Sequence, residues 1–159
     1  MQKITTCLWF ETRAEEAVNF YTSVFKNSKI NSITRYTEGS PGQVGDVLTM
    51  SFQLEGQDFL VINGGPAGFQ FNESISLSVD CKSQEEVDFL WNKLTADGGE
   101  ESQCGWLKDK YGLSWQIVPD RLVQLMNDPD ADKARRVMEA MLKMRKIEID
   151  KLEAAYEMA

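Results

Sequence analysis

The sequence predicts an α+β fold: two βαβββ modules, about residues 1–63 and 72–119, followed by a helical extension over 120–159. Three observations predict it. One strand–helix–three-strand pattern is written twice in the first 119 residues. Each helical stretch follows a hydroxyl residue with a glutamate three positions on, and each module closes with a glycine turn feeding an apolar strand.

The elements follow in order. TTCLWF (5–10) alternates with period two, Leu8 and Phe10 on one face and Cys7 and Trp9 on the other. Thr12 with Glu15 reads as a capping box for a helix whose apolar stripe is Ala17, Phe20, Tyr21, Val24 and Phe25, with Asn27 and Ser28 as a stop. Two strands, KINSITRYT and VLTMSFQL, flank a loop rich in glycine, and GQDFLVIN from Gly56 closes the module. NGGPAGFQFN (63–72) reads as a linker whose glycines let the chain turn and whose Phe69 and Phe71 fold back onto the sheet.

The second copy opens on SISLSV (74–79), with Ile75, Leu77 and Val79 opposite Ser74, Ser76 and Ser78. Ser83 with Glu86 caps a helix carrying Val87, Leu90, Trp91 and Leu94, which Gly98 and Gly99 end. ESQCGWLKD is a shorter middle section, and GLSWQIVP from Gly112 is the closing strand. One polar side chain, Gln116, interrupts that strand between Trp115 and Ile117, where only a residue facing a cavity is expected. Beyond Pro119, RLVQLMN predicts a short helix. Asp128 as N-cap and Pro129 as N1 predict one long helix to the end of the chain, with Met138, Leu142, Ile149, Leu152 and Tyr156 as its apolar positions. A helix that long packs on its own module or forms a contact between two copies.

Composition narrows the function. The 159 residues are 42% hydrophobic and 26% charged, an ordinary globular balance. A formal net charge of −8 argues against nucleic-acid binding, which needs an exposed basic face. The charge is uneven: from Ala131 onward seven basic residues meet six acidic ones, so the acid excess lies in the first 130 positions. Apolar runs are short and MQKITTCLWF does not read as a signal peptide, so the expected setting is the cytoplasm, away from the membrane. Cys7, Cys81 and Cys104 lack CxxC spacing and read as buried thiols. Histidine is absent, which removes Ser–His and Cys–His pairs and the commonest ligand of transition metals.

Paired modules of this kind, with a D-x-x-G turn (Asp109 to Gly112) before the closing strand, resemble the vicinal oxygen chelate superfamily of glyoxalase I, extradiol dioxygenases and fosfomycin and bleomycin resistance proteins. LWF, AEEAVNFYTSVF, NGGP, CGWLKDKYGLSWQIVP and VMEAMLKMRKIEIDKLEAA are similar, in order and spacing, to its PhnB-like branch, the "3-demethylubiquinone-9 3-methyltransferase-like" proteins. The resemblance implies the glyoxalase/bleomycin resistance/dioxygenase fold, with sheets around a cupped cavity and, in metal-dependent members, ligands from the first and last strand of each module. It also implies a homodimer. Carried over by parity, the superfamily's glutamate falls on Gln116 and its histidine on Ser74; in the first module the equivalents are Thr5, or Thr6 in the other register, and Leu60.

Thr5, Leu60, Ser74 and Gln116 offer neutral oxygens and one aliphatic group, where a divalent cation wants carboxylates, imidazoles or thiolates. The expectation is a site without metal or other cofactor. Cys7, Trp9 and Ser76 join these by parity, a set suited to a planar small-molecule ligand with hydrogen-bonding edges. The alternative is that Trp9 fills the hollow itself and the serines hold water. Glu73 and Asp80 flank the strand and either act as a base or cap its ends. An S-adenosylmethionine enzyme would place a glycine-rich turn between a strand and a helix; the glycines of NGGPAG precede a strand. The expected function is metal-independent small-molecule binding, the alternative an enzyme acting on a small aromatic or carbonyl substrate.

Overall fold

The computed structural model describes residues 2–158. It divides into two compact units, Met1–Phe69 and Gln70–Ala159. The first runs β1 (Thr6–Phe10), α1 (Ala14–Val24), β2 (Ser28–Arg35), β3 (Val47–Leu54) and β4 (Gln57–Asn63). Its sheet has the order β1-β4-β3-β2, with β1 parallel to β4 and the other pairs antiparallel. The second repeats this as β5 (Ser76–Cys81), α2 (Gln84–Thr95), β6 (Glu100–Glu101), β7 (Trp106–Lys108) and β8 (Ser114–Pro119), in the order β5-β8-β7-β6 with β5 parallel to β8. The fold is α+β, two βαβββ modules as the repeat predicts.

Alternation decides which face each helix covers. Leu8, Phe10, Met50, Phe52, Phe59 and Val61 are buried together with Ala17, Val18, Tyr21 and Val24 of α1. In the second unit Leu107, Trp115 and Ile117 are buried with Val87, Leu90, Trp91 and Leu94 of α2. Each large side chain removed from water in this way contributes ~1.5–3 kcal/mol. Among the described residues no helix of the same module covers the opposite face of either sheet.

The two helices are capped differently. Ser83 accepts from the Glu86 N–H at 3.2 Å, and the Glu86 carboxylate reaches back to the Lys82 N–H at 2.7 Å. The box expected from Thr12 and Glu15 does not form: Arg13 is the N-cap, with no side-chain cap bond. Instead Asn63, at the end of β4, accepts from the Ala14 N–H at 2.9 Å and donates to the Val47 carbonyl at 3.0 Å, tying helix and sheet through one buried amide. An amide that supplies both acceptor and donor satisfies two buried backbone groups at once.

The expected long C-terminal helix is two helices. After α3 (Asp120–Met126), Asp130 rather than Asp128 caps α4 (Ala131–Met141), and the chain turns through residues 142–148 into α5 (Ile149–Glu157). The break is driven from outside the segment. Met144 and Ile147 are drawn into a core with Leu122, Leu125, Val137 and Leu152. The loop backbone accepts from the Cys104 and Gly105 N–H groups at 2.8 and 2.7 Å. Gln84 completes the attachment, donating to the Ile147 carbonyl and accepting from the Ile149 N–H. Met138 and Leu142, expected on the apolar seam, are consequently exposed, and the seam passes through Val137 and Leu152. Arg136 donates to the carbonyls of Ala155 and Tyr156, satisfying the end of α5.

Candidate functional site

Of the sequence-predicted residues, Cys7, Trp9, Leu60, Ser76 and Gln116 fall on the uncovered faces of the two sheets, and Thr5 and Ser74 lie just outside the strands. In the first unit Cys7 and Leu60 are cross-strand partners, and Leu60 pairs onward with Ser51, whose hydroxyl meets that of Ser32 at 2.9 Å. Trp9 is the next residue on that face of β1, paired with Ile62. Thr5 is half-buried and lies just ahead of β1. Cys7 is exposed, not buried as expected, because its parity puts it with Trp9 and away from Leu8 and Phe10. Burial of part of its surface still pushes the thiol above its ordinary pKa, so nothing activates it as a nucleophile.

Trp9 is held by the linker. Its indole N–H donates to the Gly65 carbonyl at 3.1 Å, and Phe69 meets it edge-on with ring centroids 5.4 Å apart. Phe69 does fold back, as the sequence suggests. Gly64 permits this: a Cβ there would sit 2.1 Å from the indole ring. Trp9 remains 37% exposed.

In the second unit the D-x-x-G turn fixes the register. Asp109 is buried; its Oδ1 accepts from the Tyr111 and Leu113 N–H groups, its Oδ2 from the Trp115 indole, and its carbonyl from Gly112, which sits at φ 86°. With Trp115 anchored on the covered side, alternation sends Ser114 and Gln116 to the other, while Val118 at the strand's end packs against the core of the C-terminal helices. Gln116 Nε2 donates to Ser76 Oγ at 2.9 Å. Cross-strand rows then read Ser78, Gln116, Trp106 and Ser76, Ser114, Lys108.

Ser74 is placed differently from the expectation. β5 begins at Ser76, and Ser74 lies in a turn where its hydroxyl and N–H both donate to Asn72 Oδ1. Ile75, expected on the apolar face, is 64% exposed for the same reason. Cys104, expected on an inner strand, is half-buried in the turn before β7 at φ 57°. Cys81 is buried as expected, and its thiol is pushed up to about 12 by burial and by Glu86, Asp80 and Asp120.

Three residues of the open face escaped the sequence reading: Ser114, Trp106 and Lys108. They border a cavity of about 110 Å³ with Glu73, Glu100, Glu101, Ser102 and Leu107. Lys108 pairs with Glu73 at 2.6 Å, which raises the lysine and lowers the carboxylate from their ordinary values. The signal for Ser114 was available, since it stands two residues before Gln116. Trp106 and Lys108 have the same relation to each other, in a stretch too short to show alternation.

A divalent metal does not fit this donor set. Gln116 offers only a neutral amide oxygen beside serine hydroxyls, and among the described residues no three His, Cys, Asp or Glu side chains converge as a metal site would require.

The model of the family described as 3-demethylubiquinone-9 3-methyltransferase matches residues 2–118. A PhnB protein from Bacillus cereus is 44% identical, with a TM-score of 0.70 over 74% of this chain and 99% of that one. Protein PA1353 from Pseudomonas aeruginosa is 17% identical, with a TM-score of 0.61 over 75% and 98%. The fosfomycin resistance protein FosX from Listeria monocytogenes, solved with Mn(II) and sulfate, shares the fold at 13% identity, a TM-score of 0.51 and coverage of 75% and 91%. No curated protein matches the chain. The family match ends where α3 begins, so the helical hairpin lies outside it. On these findings the chain belongs to the 3-demethylubiquinone-9 3-methyltransferase-like, or PhnB, family.

Proposed function

We propose that this protein binds a small molecule without a metal ion, on sheet faces that offer uncharged hydrogen-bonding groups beside aromatic surface. The observation that carries this reading is the bond from Gln116 Nε2 to Ser76 Oγ, which leaves the amide oxygen for a ligand. Trp106, its cross-strand neighbour, supplies a flat apolar wall. In the first unit Cys7, Trp9 and Leu60 offer a second, more apolar surface, with Thr5 at its margin. Ser74 is a rim residue in this reading, its hydroxyl being committed to Asn72.

Methyl transfer is not part of the proposal. Among the described residues no glycine-rich turn joins a strand to the helix after it: Gly64 and Gly65 stand in the linker beyond β4 and contact Trp9. A homodimer is proposed, for which light scattering should give twice the mass of one chain; α4 and α5 fold against each other, so no long exposed helix carries its contact.

A thermal-shift screen of small aromatic and carbonyl compounds, each with and without an amino group, run in EDTA, tests the reading. A ligand that binds only the folded state raises Tm with the logarithm of its concentration. The expected result is a stabilising compound whose effect shrinks in Gln116→Leu. If no compound stabilises the protein unless a divalent metal is added, the reading fails.

A further inference from the structure

The cavity beside β6, β7 and β8 is built for positive charge. Its lining carries three carboxylates, Glu73, Glu100 and Glu101, against one internal cation, Lys108. Lys108 is held by Glu73 at 2.6 Å. Glu101 accepts from the Trp91 indole at 2.6 Å and lies 3.7 Å from Arg145. Two cations against three carboxylates leave Glu100 in surplus, and it forms no ion pair among the described residues.

A second observation points to a ligand. Ser114 is fully buried, borders the same cavity, and its Oγ has no hydrogen-bond partner among the described residues. A buried hydroxyl without a partner is destabilising unless something fills the position. Trp106 adds an indole to the wall, a surface that attracts a cation by its quadrupole. Lys108, whose ammonium pairs with Glu73, lines the same cavity.

We propose that this cavity receives the ammonium group of a small organic amine, with Glu100 as counter-ion, Ser114 Oγ as hydrogen-bond acceptor and Trp106 against its alkyl portion. The proposal rests on the small-molecule reading above and assigns the charge of the ligand. Ser114 and Gln116 share one face of β8, so an amine seated here extends along the open sheet towards the Gln116 amide. A carboxylate or phosphate ligand would meet Glu100 and Glu73 instead.

Propylammonium chloride and sodium propionate, titrated at constant ionic strength and followed by amide NMR shifts, provide the test. The amine is expected to shift Trp106, Lys108 and Ser114 saturably, at a dissociation constant of about 1–10 mM for so small a probe. Glu100→Gln is expected to weaken it about threefold to fivefold, as loss of a partly exposed charge partner should. Ser114→Ala is expected to weaken it further, and Lys108→Met to strengthen it by freeing Glu73. Absence of saturation overturns the proposal, as does an equal response to propionate or an unchanged affinity in Glu100→Gln. A water bound at Ser114 and nothing more gives the first of these results. If the EDTA screen yields ligands lost in Gln116→Leu that carry no amine, this proposal fails while the binding reading stands; if it yields none, the binding reading fails.

Discussion

Replacing Asp109 tests the turn that places the open face. The residue is 2% exposed, and its carboxylate accepts from the Tyr111 N–H at 2.8 Å, the Leu113 N–H at 3.1 Å and the Trp115 indole N–H at 2.9 Å. In Asp109→Asn one oxygen becomes an NH₂ group. If the amide keeps the two backbone bonds, it turns a donor onto the indole donor. A bond to a charged acceptor contributes about 1.5–3 kcal/mol, and a buried donor left unpaired costs about 1–3 kcal/mol. Asp109→Asn is therefore expected to lose roughly 2–3 kcal/mol, and Asp109→Ala, which removes all three of these bonds, roughly 4 kcal/mol or more. At about 2–4 °C per kcal/mol for a chain of this size, the asparagine variant should melt about 4–12 °C lower. Urea unfolding followed by tryptophan fluorescence measures it, Trp115 itself being a reporter. If both variants unfold within about 0.5 kcal/mol of the parent, the turn does not hold β8 and the reasoning is refuted.

Three further outcomes are expected. Gly105→Ala should destabilise the second unit by about 2 kcal/mol or more, because the residue sits at φ 83° and a Cβ would lie 3.0 Å from the Ile117 carbonyl oxygen and 3.1 Å from Ile147; a Tm unchanged from the parent would contradict the close fit. At pH 8 a disulfide reagent should modify exposed Cys7 in the folded protein and leave Cys81, raised to about 12, unmodified until unfolding; early labelling of Cys81, located by mass spectrometry, would contradict its burial. Asp88, Glu153 and Asp128 are held below their ordinary values by Lys146, by Arg121 and by the Asp130 N–H respectively. Their folded pKa values being depressed, the stability they give is present above the unfolded pKa and lost as pH falls through the folded one, so it should decline from about pH 4 downward; an acid limb absent in circular dichroism would count against these pairs.

How much the sequence revealed depends on whether the deciding contact was local. The repeat, the cap at Ser83 and the stripe Val87, Leu90, Trp91 and Leu94 were legible because partners stand within one turn of each other. The place of Gln116 was legible because strand parity needs only its neighbours, Trp115 and Ile117. The cap of α1 was not, since its acceptor is Asn63, 49 residues away. Nor was the break at residues 142–148, which contains no glycine or proline and is imposed by Gln84, Cys104, Gly105 and the core around Leu122. Ser74 was misplaced by extending an alternation that Asn72 interrupts with a side-chain-capped turn. The cavity at Ser114 joins three strands and the segment before β5, so no single stretch announced it.

Metal independence is most directly measured by equilibrium dialysis of the purified protein against manganese(II), with bound metal counted by atomic absorption. The account predicts no stoichiometric metal on the parent, since the open face of β8 presents Gln116 and serines to a cation that needs charged ligands. One manganese per chain, lost in Gln116→Ala, would contradict it.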